Sequence, residues 1–329
     1  ASAFLNSSYD GSFIAGLMEL RYIQSLPVER IINYFEGYGF TLKKPTAHKL
    51  IEKASSLFEN LYKCIRQTAL SDPYKAADET YYKILVPEKN SKGKGVRKGY
   101  LWVVVGINTR MIYLLYDDGS RSERVILNEL GSCKGIIQSD GYSPYRKLES
   151  DAYPHITRIP CLQHIKRKFI DCGEKDPDAK RIVELINALY QNEHKHKVEV
   201  EGWTVEQNLM HRKKYALDIL GEIKDVLDEI EERGDLLPKS ELQEAITYLR
   251  NEWNAVVDIF NYGDTYLDNN MVERMNRYIS LSRKNSLFFG SHKGAERGAI
   301  LYTIALTCRM HKVNLFEYLT DVINRTAEW

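Results

Sequence analysis

The sequence holds no CxxC pair, and its five cysteines, Cys64, Cys133, Cys161, Cys172 and Cys308, are an odd number. A disulfide framework is therefore not expected, and free thiols in a reducing compartment are. No apolar run approaches the length of a membrane span and no signal peptide is visible, which excludes the usual marks of a helical membrane protein or an exported one. An excess of one charge is missing too: 46 Lys and Arg against 45 Asp and Glu leave +1. Near-neutrality does not exclude a polyanionic partner, because basic residues can be gathered in patches. The chain opens on Ala1 rather than methionine, as expected of a sequence without its natural N-terminus.

What is there suffices for a sizeable core: 43% of 329 residues are apolar, and the length suggests two domains or one domain with a large insertion. The basic residues do cluster. Lys89, Lys92, Lys94, Arg97 and Lys98 fall in one loop, His164, Lys166, Arg167 and Lys168 in a second group, and His211, Arg212, Lys213 and Lys214 in a third. A solvated face is the expectation for the third.

From 12 to 70 the pattern is helical, broken at Pro27. Ile31, Ile32 and Phe35 give the second helix its apolar side, Gly37, Tyr38 and Gly39 end it, and Thr46 is the expected N-cap of the third. With Lys43, Lys44, His48 and Lys49 near that start, a helix-turn-helix DNA reader and an ordinary helical bundle both fit, the bundle slightly better. Aromatic and β-branched residues then mark strands over 77–86, 100–107 and 111–116, the last two joined by a tight Asn108-Thr109-Arg110 hairpin. A helix over 120–131 is expected behind a Ser120/Glu123 capping box. A buried strand beginning Gly135, Ile136, Ile137 runs out at Asp140, where Gly141 lets the backbone turn. A short helix from Ser143 and Pro144 and a strand over 155–159 follow. The helix over 161–169 places Leu162, Ile165, Phe169 and Cys172 on one face, and His164, Arg167 and Lys168 elsewhere.

The strand signal then stops. Residues 178–260 read as three helices, with Thr204/Gln207 and Ser240/Gln243 as capping boxes. In the segment 267–285 Asn270 is the expected N-cap, Val272, Met275 and Ile279 the buried stripe, and Glu273, Arg277, Ser280 and Lys284 a separate one. Helices over 295–310 and 315–325 finish the chain, the latter behind an Asn314/Glu317 box. The expected class is α/β: a mixed five-stranded sheet flanked by helices. The expected division is a helical region 1–72, a core 73–175, a helical insertion 176–262 and the core's C-terminal helices 263–329.

Three acids stand out. Asp78 lies on the first strand, Asp140 ends the fourth, and Glu273 opens a helix after the insertion. Singly, each has a plain reading: a solvated residue, an Asx-turn former before glycine, the N3 partner of a cap. Jointly they suit divalent cations, since hard ions take oxygen ligands and shared carboxylates can hold two of them ~4 Å apart for in-line phosphoryl chemistry.

The segments DET at Asp78, GYLWV at Gly99, SDGY at Ser139, CLQHIKRKF at Cys161, DNNMVERMNR at Asp268 and SRKNSLFFGSHKGAERGA at Ser282 stand in an order that resembles transposases of the insertion sequence 66 family. The resemblance runs from about Asp78 to the C-terminus. It implies an RNase H-like core of the DDE type, with Asp78, Asp140 and Glu273 as catalytic and metal-binding acids and Glu296 a distant rival for the third. It implies two Mg²⁺ ions, replaceable by Mn²⁺, DNA cleavage at element ends and strand transfer into a target. It also implies a bacterial cytoplasmic, nucleoid-associated setting, a homo-oligomer on DNA and possible accessory proteins of the element. Arg167, Lys168, Arg274, Arg277, Arg283 and Lys284 are the expected phosphate contacts. Cys161 and His164 match the family's Cys-x-x-His signature; they offer two of the ligands zinc would need, with no second pair evident, and His164 is expected to orient the site or contact phosphate. The departures are LQHIKRKF where relatives are often alanine-rich, Val272 where a small residue is common, and the absence of an upstream cysteine cluster. A catalytically retired DNA-binding or assembly protein and a nuclease without strand transfer are the alternatives.

Overall fold

The computed structural model describes residues 7–89, 93, 95–173 and 176–326. Lys92 and Lys94 of the basic loop lie outside the described residues. The architecture is α/β, a mixed five-stranded sheet with helices, consistent with an RNase H-like core. The chain divides into two compact units, one built from residues 1–134 and 271–329, the other from Gly135–Asn270.

The first unit opens with four helices: α1 (Gly11–Tyr22), α2 (Val28–Gly37), α3 (Lys44–Leu57) and α4 (Glu59–Ser71). Asp10 caps α1 by accepting the Phe13 N–H at 2.8 Å, and Pro27 stands before α2, where its fixed φ and missing N–H cost nothing. Helix α3 starts three residues earlier than Thr46 suggested: Lys43 is its N-cap and Pro45 sits in the first turn, where proline is preorganised for helix. The strands β1 (Tyr74–Leu85), β2 (Val96–Gly106) and β3 (Ile112–Leu115) are antiparallel, Asp78 facing Val103 and Trp102 facing Leu115. Arg110, with φ of +54°, makes the β2–β3 turn.

Helix α5 (Glu123–Leu130) has Ser122 rather than Ser120 as N-cap and no side-chain cap bond. Ser120 Oγ instead takes the Ser122 N–H at 3.1 Å, so the expected box is absent. Helices α12 (Asn270–Asn285), α13 (His292–Met310) and α14 (Leu315–Thr326) complete this unit. Helix α13 is buried nearly all round. Thr303 and Thr307 accept the Leu114 and Ile112 N–H groups of β3 at 2.9 and 3.2 Å, so the free edge of that strand is satisfied by hydroxyls.

In the second unit β4 (Gly135–Ser139) and β5 (Ile156–Pro160) run parallel, Ser139 opposite Pro160. Around them lie α6 (Ser143–Arg146), α7 (Leu162–Asp171), α8 (Pro177–Gln191), α9 (Lys195–Val200), α10 (Val205–Arg233) and α11 (Glu241–Ile259). Four helices thus occupy the stretch where three were expected, α9 being too short for a periodic signal. The Thr204/Gln207 capping box forms in full. Ser240 caps α11, but Gln243 reaches back to the Lys239 N–H instead of that of the cap. The third basic cluster is corrected at one member: Arg212 is 2% exposed. It lies on the buried stripe of α10 and donates to Glu193 Oε2 at 2.9 Å and to Thr265 O at 2.6 Å, with further bonds to Ile259 O and Tyr262 O. The guanidinium closes the turn that follows α11.

Candidate active site

In the first unit the twelve residues of β1 alternate faces. Asp78 shares a face with Thr80 and Tyr82, and it is half-buried. Its Oδ1 accepts the Glu79 N–H at 2.8 Å and its Oδ2 accepts from Asn276 Nδ2 at 2.5 Å. Asn276 belongs to α12, whose Val272, Met275 and Ile279 are buried as the periodicity predicts. Glu273 precedes Asn276 by three residues, so it lies on the same side of the helix, about 4.5 Å along its axis. The residue that touches Asp78 is therefore one turn from Glu273, which is also half-buried. At the helix start Asp268 Oδ1 takes the Asn270 N–H at 3.1 Å, and Asn270 is the first helical residue rather than the cap.

In the second unit Asp140 directly follows β4 and Cys161 directly follows β5. The strands are parallel neighbours, and the Cys161 N–H donates to Ser139 O at 3.1 Å. Both residues thus stand at the carboxyl ends of parallel strands, where sheets of this class place ligand-binding groups. Asp140 Oδ1 accepts the Tyr142 N–H at 3.1 Å, an Asx turn. The carboxylate is half-buried. Cys161 is buried, its Sγ accepting the Asn269 N–H at 3.2 Å. His164 lies one turn into α7 and is half-buried, while Arg167 and Lys168 are exposed. Leu162, Ile165 and Phe169 are buried as expected; Cys172, the cap residue, is only half-buried.

The turn carrying Asp140 is held from below by a buried arginine. Arg158 on β5 is 2% exposed. It donates to Ser139 Oγ at 3.1 Å, Asp140 O at 2.7 Å, Glu149 Oε1 at 2.5 Å and Glu252 Oε2 at 2.6 Å. Glu252 comes from α11 and is fully buried. Burial pushes its carboxyl up from the ordinary value, and Arg158 pulls it back. From the same helix Tyr248 accepts the Gly141 N–H at 2.8 Å, burial first and the Glu252 charge second raising its phenol. Lys168 Nζ stands 5.7 Å from the Tyr248 ring centre.

Gly141 is glycine for a reason other than the one the sequence suggested. It is not among the positive-φ residues, but a Cβ there would meet the Tyr248 ring and hydroxyl at 2.5–2.8 Å. Gly141→Ala is expected to cost about 1–3 kcal/mol through overpacking, read as a lower midpoint in denaturant unfolding.

Of the expected phosphate contacts, Arg274, Arg277 and Lys284 are exposed on α12 and Arg283 is half-buried. Arg283 is tied to β1: its Nη1 donates to Thr80 Oγ1 at 3.2 Å and to Tyr81 O, and the guanidinium stacks 3.9 Å from the Tyr81 ring centre. The rival Glu296 is exposed on α13. The residues that sequence reasoning missed are Asn276, Arg158, Tyr248 and Glu252. A usable signal existed for Glu252, an acid on the Ala245, Leu249, Val256 stripe of a helix.

The profile of the family described as Transposase IS66 family matches residues 6–297. The chain belongs to that family. Its curated relatives include three proteins of Sinorhizobium fredii (strain NBRC 101917 / NGR234) that carry the names "Uncharacterized protein" y4jD, y4hP and y4qI. The chain is 27% identical to y4jD over 94% of its own length and 61% of the relative's. For y4hP the figures are 25%, 92% and 56%, and for y4qI 28%, 77% and 47%. The chain thus spans about half the length of these relatives. Membership of the family marks it as a transposase-family protein. Among the described residues no helix is long and apolar enough to cross a membrane.

Proposed function

We propose that the chain carries the catalytic centre of a DNA transposase, with Asp78, Asp140 and Glu273 as its acids, cutting phosphodiesters at element ends and joining the freed 3′-hydroxyl to target DNA. The observation that carries the reading is the contact between Asp78 and Asn276 one turn from Glu273, in a chain matched by the family over residues 6–297.

The donor set fits Mg²⁺. It consists of carboxylate oxygens, the ligands hard cations take. Asn276 adds a buried carbonyl, Oδ1, without a hydrogen-bond partner among the described residues. Asp78, Asp140 and Glu273 would hold two ions, with Mn²⁺ able to substitute. When bound, such ions neutralise charge at the phosphate and align the attacking and leaving oxygens.

The chain's own groups do the rest. Asn276 Nδ2 fixes the orientation of the Asp78 carboxylate, the Asx turn and Arg158 fix the Asp140 backbone, and the exposed Arg167, Lys168, Arg274, Arg277 and Lys284 position the DNA backbone without reading its sequence. His164, one turn from Cys161, orients a phosphate in this reading. Residues 1–72 and the helical insertion 176–262 serve as flanking modules of this core, which acts on DNA as a homo-oligomer beside the bacterial nucleoid.

Calorimetric titration with Mn²⁺ tests the reading. Saturable binding by the parent and its loss in Asp78→Ala are expected. Binding that survives in Asp78→Ala, Asp140→Ala and Glu273→Ala alike would overturn it in favour of a DNA-binding protein without chemistry.

A further inference from the structure

On the face of β1 opposite Asp78, the residues are Glu79, Tyr81 and Lys83, and the register pairs them with Trp102, Tyr100 and Lys98 of β2. The Trp102 end of this face is closed, its indole N–H donating to Ser120 O at 3.0 Å. The other end is open: Lys83 and Lys98 are exposed, Tyr81 is 38% exposed and Tyr100 half-buried.

Three features of this open end call for an anion. Lys83 and Lys98 are directly opposed across the strand pair, a placement in which like charges destabilise a sheet. Among the described residues no carboxylate lies within salt-bridge distance of either. The one acid on the face, Glu79, is already engaged by Arg121, whose Nε donates to it at 2.9 Å. The cations are also held in place before any ligand arrives. Lys98 Nζ sits 4.5 and 5.1 Å from the Tyr81 and Tyr100 ring centres, Arg121 5.1 Å from Tyr100, and Arg283 3.9 Å from Tyr81. Cations seated on aromatic faces lose less freedom when they bind.

We propose that this face of the β1–β2 hairpin is a second DNA-contacting surface, gripping phosphates through Lys83, Lys98 and Arg121 on the side of the strand away from Asp78. The inference rests on the reading that the chain acts on DNA. An acidic protein fits the surface less well, because cations stand over both tyrosine rings, whereas the core of a protein interface is depleted of charge. Because successive side chains of a strand point to opposite faces, DNA held here is not the phosphodiester at the Asp78 face. It is a flanking or second segment.

The test is equilibrium binding in EDTA, which removes any chemistry from the readout. Fluorescence anisotropy with a short duplex of arbitrary sequence is followed against KCl for the parent and for the double variant Lys83→Gln/Lys98→Gln. The variant is expected to bind more weakly, with a log–log salt slope shallower by roughly 2, at about 0.9 for each phosphate the missing lysines would have neutralised. Its melting temperature should equal or exceed the parent's, since the opposed charges are gone. A parent that binds and a variant with the same affinity and slope would sink this proposal and leave the transposase reading standing. A parent that does not bind the duplex at all would remove that reading, and this one with it. Tighter binding of the parent to a glutamate-rich peptide than to the duplex would overturn the assignment in favour of a protein partner.

Discussion

Asp140→Asn should abolish cutting and joining of DNA while leaving the fold and DNA binding in place. The choice of asparagine separates the two readings of this residue. Its side-chain oxygen can still accept the Tyr142 N–H that closes the Asx turn, so a purely structural Asp140 would tolerate the change. The negative charge alone is lost, and with it the affinity of the position for a hard cation. The expected loss is on the order of 10³-fold or more, the scale on which a group stabilising charge in a reacting site acts. Strand transfer with pre-cut ends in Mg²⁺ measures it, beside anisotropy to confirm that DNA is still bound. Full activity in this variant would remove Asp140 from the catalytic set.

The largest effect on stability is expected at Arg158→Met. The substitution strips the buried Glu252 carboxyl of its closest partner, since the other cation nearby, Arg146, is 3.9 Å away and 37% exposed. Removing one member of a buried pair costs about 3–5 kcal/mol. The double substitution Arg158→Met/Glu252→Leu should recover most of that, because no charge is then left in the core. Urea unfolding of the two singles and the double gives the coupling directly. Additive losses would mean that the pair does not interact as its 2.6 Å contact implies. The two variants also divide function from folding: Asp140 loses the bond to its carbonyl in both, so a stable double variant with impaired strand transfer would show that the arginine positions the acid as well as stabilising the fold.

How much of this was legible in the sequence depends on the range of the interaction. Local signals translate well. The Thr204/Gln207 box, the Val272, Met275, Ile279 stripe and the β2–β3 turn are all set by residues within a few positions of one another. Strand ends were displaced, β1 beginning at Tyr74 rather than 77 and β2 at Val96 rather than 100, because pairing with a partner strand extends a segment past its apolar stretch. Long-range pairs were invisible. Arg158 and Glu252 are 94 positions apart and Asp78 and Asn276 are 198 apart, and no periodicity in either segment names the other. Arg212 shows the same limit from the opposite side. Within a run of basic residues it looks solvated, and the Glu193 carboxylate together with the carbonyls of a distant turn offsets its burial. The three acids are proposed as a set from the ordered motifs, whereas the contacts that hold Asp78 and Asp140 had no signal in the sequence.

The hold of α11 on the Asp140 turn bears on how this fold can be cut and reassembled. Tyr248 bonds the turn, and Glu252 holds the Arg158 beneath it, from a helix more than a hundred residues downstream. A chimera that replaced the helices between β5 and α12 with a short linker would strip the wall from behind the aspartate and expose a guanidinium left with Glu149 alone to balance it. Any viable shortened version must therefore keep α11 and trim among α8, α9 and α10 instead.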